Sequence, residues 1–64
     1  MIERLRRLHH LLHRLQMTRD TLLRAIEMMG DFNHERAETL ARMGKILQNQ
    51  IDYAQDEIRK MEER

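Results

Sequence analysis

The sequence predicts an all-α fold, an antiparallel two-helix hairpin that pairs with a second copy as a homodimeric four-helix bundle. Three observations carry this. Two stretches of similar length repeat apolar residues in alternating steps of three and four, the spacing that keeps one seam turned toward a partner helix. A short segment, Gly30-Asp31-Phe32-Asn33, separates them. Folding back at that segment brings the two stripes into register, and no proline interrupts either one.

The chain, 1–64, reads as a single hairpin. A first helix is predicted over about residues 2–29, with its stripe at Met1, Leu5, Leu8, Leu12, Leu15, Arg19, Leu22, Ile26 and Met29. Gly30 suits the position just past a helix, where left-handed backbone is needed and a Cβ is costly, so the loop is predicted at 30–33. Asn33 is expected to cap the next helix, with Asp31 as the alternative cap. Phe32 and Ala37 then stand at the two ends of a hydrophobic staple. The second helix is predicted over about 34–62, with its stripe at Ala37, Leu40, Gly44, Leu47, Ile51, Ala54, Ile58 and Met61. The register pairs Leu5 with Ile58, Leu8 with Ala54, Leu12 with Ile51, Leu15 with Leu47, Arg19 with Gly44, Leu22 with Leu40 and Ile26 with Ala37. Glu3–Arg7, Asp20–Arg24, Glu38–Arg42 and Asp56–Lys60 are acid-first pairs one turn apart. Each is worth only ~0.2–0.5 kcal/mol, but all agree with helix.

Sixty-four residues without cysteine cannot add a disulfide or a thiolate metal site to a small core. Below ~70–80 residues a single core seldom supplies more than about 3–5 kcal/mol, so association is the expected remedy. Apolar residues beside the seam support it: Leu11 and Leu23 on the first helix, Met43, Ile46 and Tyr53 on the second. Large apolar side chains each gain roughly 1.5–3 kcal/mol on burial, so leaving all five in water is unfavourable. The expected partners are a second copy of the chain or a helix of another protein. No run approaches the ~20 apolar residues of a membrane span, and the Arg-rich start lacks the apolar stretch of a secretory signal. A cytoplasmic protein is expected.

Charge is divided unequally. Residues 1–29 carry six Arg against Glu3, Asp20 and Glu27, whereas residues 30–64 carry six basic residues against eight acidic ones. Arg6, Arg7, His10, His13 and Arg14 form an outward basic stripe on the first helix, and ten of the twelve basic residues are Arg. Arg makes bidentate phosphate contacts and stacks on bases, so the stripe is a candidate surface for structured RNA. No exposed aromatic accompanies it, and the plainer reading is a solvated face.

Two further features stand out. Arg19 is the only charge in the seam and faces Gly44 in the predicted register, which suggests a polar layer with room for the Arg stem. His9 and His13, one turn apart, could share a metal ion. Zinc wants three or four protein ligands, His34 lies far along the hairpin, and no cofactor is expected. Catalysis is not expected either. The chain has no Ser or Cys nucleophile, and acid pairs such as Asp52 and Asp56 lie on an exposed helix face where nothing raises a pKa.

Over its whole length this pattern of heptads, short loop, small residues opposite large ones and basic first helix resembles the Rop family of small plasmid proteins. The resemblance is to the pattern rather than to any string of residues. It implies a dimeric four-helix bundle that holds paired RNA loops on its first-helix faces. The segment Asp20-Thr21-Leu22-Leu23-Arg24-Ala25-Ile26-Glu27 is similar to a helix of the Hha/YmoA nucleoid modulators. The hairpin also looks like the small aspartyl-phosphate phosphatases of sporulating bacteria. Their Ser-Gln-x-Leu-Asp signature falls at Leu40-Ala41-Arg42-Met43-Gly44, where neither the Ser nor the Asp is present. The function expected is thus a binding or scaffolding module for protein–protein interaction. The alternatives are an RNA-binding regulator using the first helix, and an engineered or metal-dependent helical assembly.

Overall fold

The computed structural model describes residues 2–63, so Met1 of the predicted stripe lies outside the described residues. Helix α1 spans Ile2–Gly30 and helix α2 spans His34–Glu62, and the two pack against each other along their length. Twenty-nine residues at ~1.5 Å each make a helix of roughly 43 Å, and the hairpin is a rod of 48 × 14 × 11 Å.

The residues withdrawn from solvent are those of the two stripes, together with Gln16, Gln48, Asp56 and Glu57 beside them. Among the described residues only Ala37, Ile51, Ala54 and Ile58 are buried, and all four lie on α2. The Leu residues of the α1 stripe are only partly withdrawn from solvent. A seam between only two helices leaves both of its edges open to water.

The connection differs from expectation at two places. Gly30 is the last residue of α1, not a left-handed residue beyond it, and among the described residues no glycine has a positive φ. The helix tightens at its end instead. Asp31 N–H donates to the Met28 carbonyl at 3.2 Å, Phe32 N–H to the Met29 carbonyl at 3.0 Å, and Asn33 N–H to the same Met29 carbonyl at 2.7 Å. These right-handed bonds satisfy the terminal carbonyls that a left-handed residue would otherwise serve. Phe32 is 87% exposed, so it does not reach Ala37 and forms no staple. Asn33 does cap α2: its backbone is extended, and its side-chain Oδ1 accepts from Arg36 N–H at 3.0 Å.

The polar layer is displaced by about one turn from the predicted pairing. A Cβ built on Gly44 would meet Leu22 Cδ2 at 3.7 Å, with no atom of Arg19 within 4 Å. The Arg19 guanidinium reaches past Gly44, donating from Nη1 to Gln48 Oε1 at 3.4 Å. The cause is the lean of helical side chains toward their own N-terminus. On α1 that direction runs toward higher residue numbers on α2, so Leu22 arrives at Gly44 and Arg19 at Gln48.

Candidate functional site

Two surfaces of the hairpin carry recognisable chemistry. The first is the outer face of α1. Arg6, Arg7, His10, His13 and Arg14 are all exposed there, as helical spacing away from the seam requires. Glu3 reaches Arg6 at 3.9 Å and Arg7 at 3.5 Å, which ties the first turn together but leaves both guanidiniums in water. The ion pairs among the described residues do not engage His10, His13 or Arg14. Those three, with Met17 and Thr18, line an open groove of about 440 Å³. Thr18 donates its hydroxyl to the Arg14 carbonyl at 2.8 Å and is taken up with its own backbone. The groove can therefore present cations to an anionic ligand but offers no aromatic surface for a base.

His9 and His13 are exposed and one turn apart. Among the described residues no group of three or more His, Asp, Glu or Cys side chains converges as metal ligands would. His34, near the loop, pairs with Glu38 at 3.2 Å, which occupies the acid predicted to serve Arg42. Arg24 likewise turns to the Asp20 carbonyl at 3.4 Å rather than to its carboxylate. The predicted Glu3–Arg7 and Asp56–Lys60 pairs do form, the latter at 3.1 Å.

The second surface is one long side of the hairpin. Leu5, Leu8, Leu12, Leu15, Arg19, Leu22 and Ile26 line the seam from α1, and Leu40, Gly44, Leu47, Ile51, Ala54 and Ile58 line it from α2. Leu11 directly precedes Leu12, and Met43 directly precedes Gly44. In an antiparallel pair these two flanks border the same side. Ile46 and Tyr53, a step further round α2, widen the strip. Leu11, Met43, Ile46 and Tyr53 are 46%, 54%, 63% and 59% exposed. Met28, 66% exposed, extends the strip to the loop end and was not singled out from the sequence. Its signal was its step of three beyond Ala25, on the same flank as Leu11.

Leu23 belongs elsewhere. Twelve residues from Leu11, it is turned by ~120° around the helix and borders the opposite side. That side is polar. Gln48 accepts from Arg19 and donates from Nε2 to Asp52 Oδ1 at 3.0 Å, and Arg19 Nε lies 3.5 Å from Asp20. The polar network thus crosses the seam on one side only and leaves the apolar strip on the other.

Near the termini, Asp56 collects Lys60 and Arg59. The hydrogen bond from Lys60, with the positive charges of Lys60 and Arg59, holds its carboxyl below the usual Asp value against the opposing effect of desolvation. Lys60 is raised for the same reason, chiefly by its bond to Asp56. Both side chains keep contact with water, so the cluster is a solvated tie between turns.

No helix among the described residues is long and apolar enough to cross a membrane. Comparison with protein-family models, curated proteins and solved structures finds no match to this chain.

Proposed function

We propose that the chain is a self-associating helical-hairpin module that works by binding, as a scaffold for protein–protein contact, and that its working form is a homodimeric four-helix bundle. One observation carries the reading: Leu11, Met43, Ile46 and Tyr53 gather on one side of the rod, each about half exposed or more, while the other side carries the polar network. A scattered exposed apolar residue is ordinary, but several that share one face mark a contact surface. The buried core of the described residues amounts to four side chains, two of them Ala, so the hairpin gains most from covering that strip.

The test is mass and melting behaviour. The unmodified chain should sediment as a dimer at micromolar concentration, and its melting temperature should rise with concentration, as mass action requires. Ile46→Glu should shift it to monomer, because a charge is then buried without a partner. A monomer with full helicity across that range overturns the reading.

A second reading is favoured by Arg14, which lines the α1 groove beside His10 and His13 and lies outside the ion pairs of the described residues: binding of structured RNA through Arg6, Arg7, His10, His13 and Arg14. Counterion release then makes affinity fall with salt, at a log–log slope of about −0.9 per phosphate on a duplex. Arg7→Gln with Arg14→Gln should flatten that slope while helicity stays unchanged. Affinity that ignores the double change leaves the stripe a solvated face.

A further inference from the structure

We propose that the two copies pack with both loops at the same end, α1 of each lying antiparallel over α2 of the other. This rests on the dimer reading above and names the orientation that reading leaves open.

Two hairpins that meet on their apolar sides have two symmetric choices. With the two-fold axis along the rod, α1 lies over the partner's α2 and the loops coincide. With the axis across the rod, α1 lies over α1, α2 over α2, and the loops are at opposite ends. Both bury the strip, so the choice falls to what is matched along it.

Charge along the rod is uneven in a way that separates them. The half of α1 at the terminal end, residues 2–14, carries Arg4, Arg6, Arg7 and Arg14 against Glu3, a net +3. The adjoining half of α2, residues 50–63, carries Asp52, Asp56, Glu57, Glu62 and Glu63 against Arg59 and Lys60, a net −3 around the whole helix, with Asp52 turned to the polar side. The loop-end half of α1, residues 18–30, balances Arg19 and Arg24 against Asp20 and Glu27, net zero. With loops together, each basic half of α1 lies over the partner's acidic half of α2, and like charges fall on the diagonals of the bundle. With loops apart, each basic half faces the neutral half of the partner's α1. The acidic half of α2 then faces residues 31–44, where Asp31, Glu35 and Glu38 outnumber Arg36 and Arg42, a net −1. Only the first arrangement converts the charge polarity of the helices into attraction between copies.

The apolar residues match more completely in the same arrangement. The two helices are equal in length and antiparallel, and Leu11 and Tyr53 each stand five residues from a helix midpoint toward the terminal end, which places them at one level of the rod. With loops together, Leu11 of each copy meets Tyr53 of the other, in two equivalent pairs. With loops apart, the same level falls about ten residues nearer the loop in the other copy, so Tyr53 meets Met43 but Leu11 meets Thr21.

A consequence follows for the basic stripes. With loops together the two α1 helices are diagonal, so their outer stripes point to opposite sides of the bundle and cannot jointly cradle one ligand. Any anionic partner then binds each stripe singly.

The experiment is a distance between loops. The chain has no cysteine, so Asp31→Cys in the exposed loop gives a single spin-label site in each copy. Neighbouring helix axes in a bundle are roughly 10 Å apart, so the inter-label distance should fall below about 25 Å with loops together. Loops at opposite ends would place the labels near the 48 Å length of the rod apart. A dimeric mass with the long distance overturns this orientation and leaves the dimer reading intact. A monomeric mass with no dipolar coupling overturns both. As a second readout, Arg4→Glu with Arg7→Glu should weaken association, and mixing that variant with a Glu57→Arg, Asp56→Arg chain should restore it. Association of the unmixed Arg4→Glu, Arg7→Glu variant as tight as that of the parent chain counts against the proposal.

Discussion

Replacing Gly44 by Ala should stabilise the protein, and the structure allows the size to be worked. Gly44 sits in the middle of α2, where glycine is about 1 kcal/mol less favourable than alanine because it loses more backbone freedom on folding. The added Cβ would stand 3.7 Å from Leu22 Cδ2, an ordinary van der Waals contact, with nothing closer. The methyl is half buried, so it adds a fraction of the ~0.8 kcal/mol of a fully buried methylene. The sum is about 1 to 1.5 kcal/mol per chain. At ~4–8 °C per kcal/mol for a domain of this size, the melting temperature should rise by roughly 5–10 °C. The assay is thermal unfolding followed by circular dichroism at one fixed protein concentration, since association makes the midpoint concentration-dependent. A fall in midpoint would refute the reasoning. It would mean that something other than Leu22 closes on Gly44, such as a partner chain entering the seam.

The same geometry predicts how larger changes couple. Gly44→Leu should cost ~1–3 kcal/mol by overpacking against Leu22, and Leu22→Ala should relieve it in a double-mutant cycle, while Arg19→Leu should be additive with Gly44→Leu within ~0.3–0.5 kcal/mol. Coupling to Arg19 instead would restore the pairing expected from the sequence. Asn33→Ala should lower stability by about 1 kcal/mol through loss of the cap to Arg36 N–H, measured by denaturant midpoint, whereas Asn33→Asp should not. Asp56, held below its ordinary value by Lys60 and Arg59, favours the folded chain when ionised. Its contribution is present above the unfolded carboxyl value of about 3.9 and is lost as pH falls through the lower folded value. Carboxyl NMR titration should show Asp56 below the ordinary range, and Lys60→Gln should move it back up; no movement would mean that Lys60 is not the cause.

The heptad spacing alone determined which residues turn inward. From Leu5 to Met61 the stripes are the half-buried and buried positions, because a helical period decides a face whatever the atoms later do. Asn33 was legible as a cap for a similar reason: its side chain acts on its own backbone within three residues. The basic stripe of α1 was legible as an outward face, and its exposure follows from the same period. What depends on direction rather than period was decided only by the tertiary structure. Side chains lean toward their own N-terminus, so contacts across an antiparallel seam are offset by about a turn, giving Leu22 to Gly44 and Arg19 to Gln48. The loop closed through right-handed hydrogen bonds from Asp31, Phe32 and Asn33, so Gly30 had no left-handed position to fill, and Phe32 was left in water. Most of all, a list of flanking apolar residues does not say which of them share a side. Leu11 and Leu23 look alike on one helix, yet only with the second helix placed beside the first does Leu11 join Met43, Ile46 and Tyr53 in one strip, while Leu23 is left with the polar network opposite. A side of a hairpin is a property of two helices together, and neither helix alone contains it.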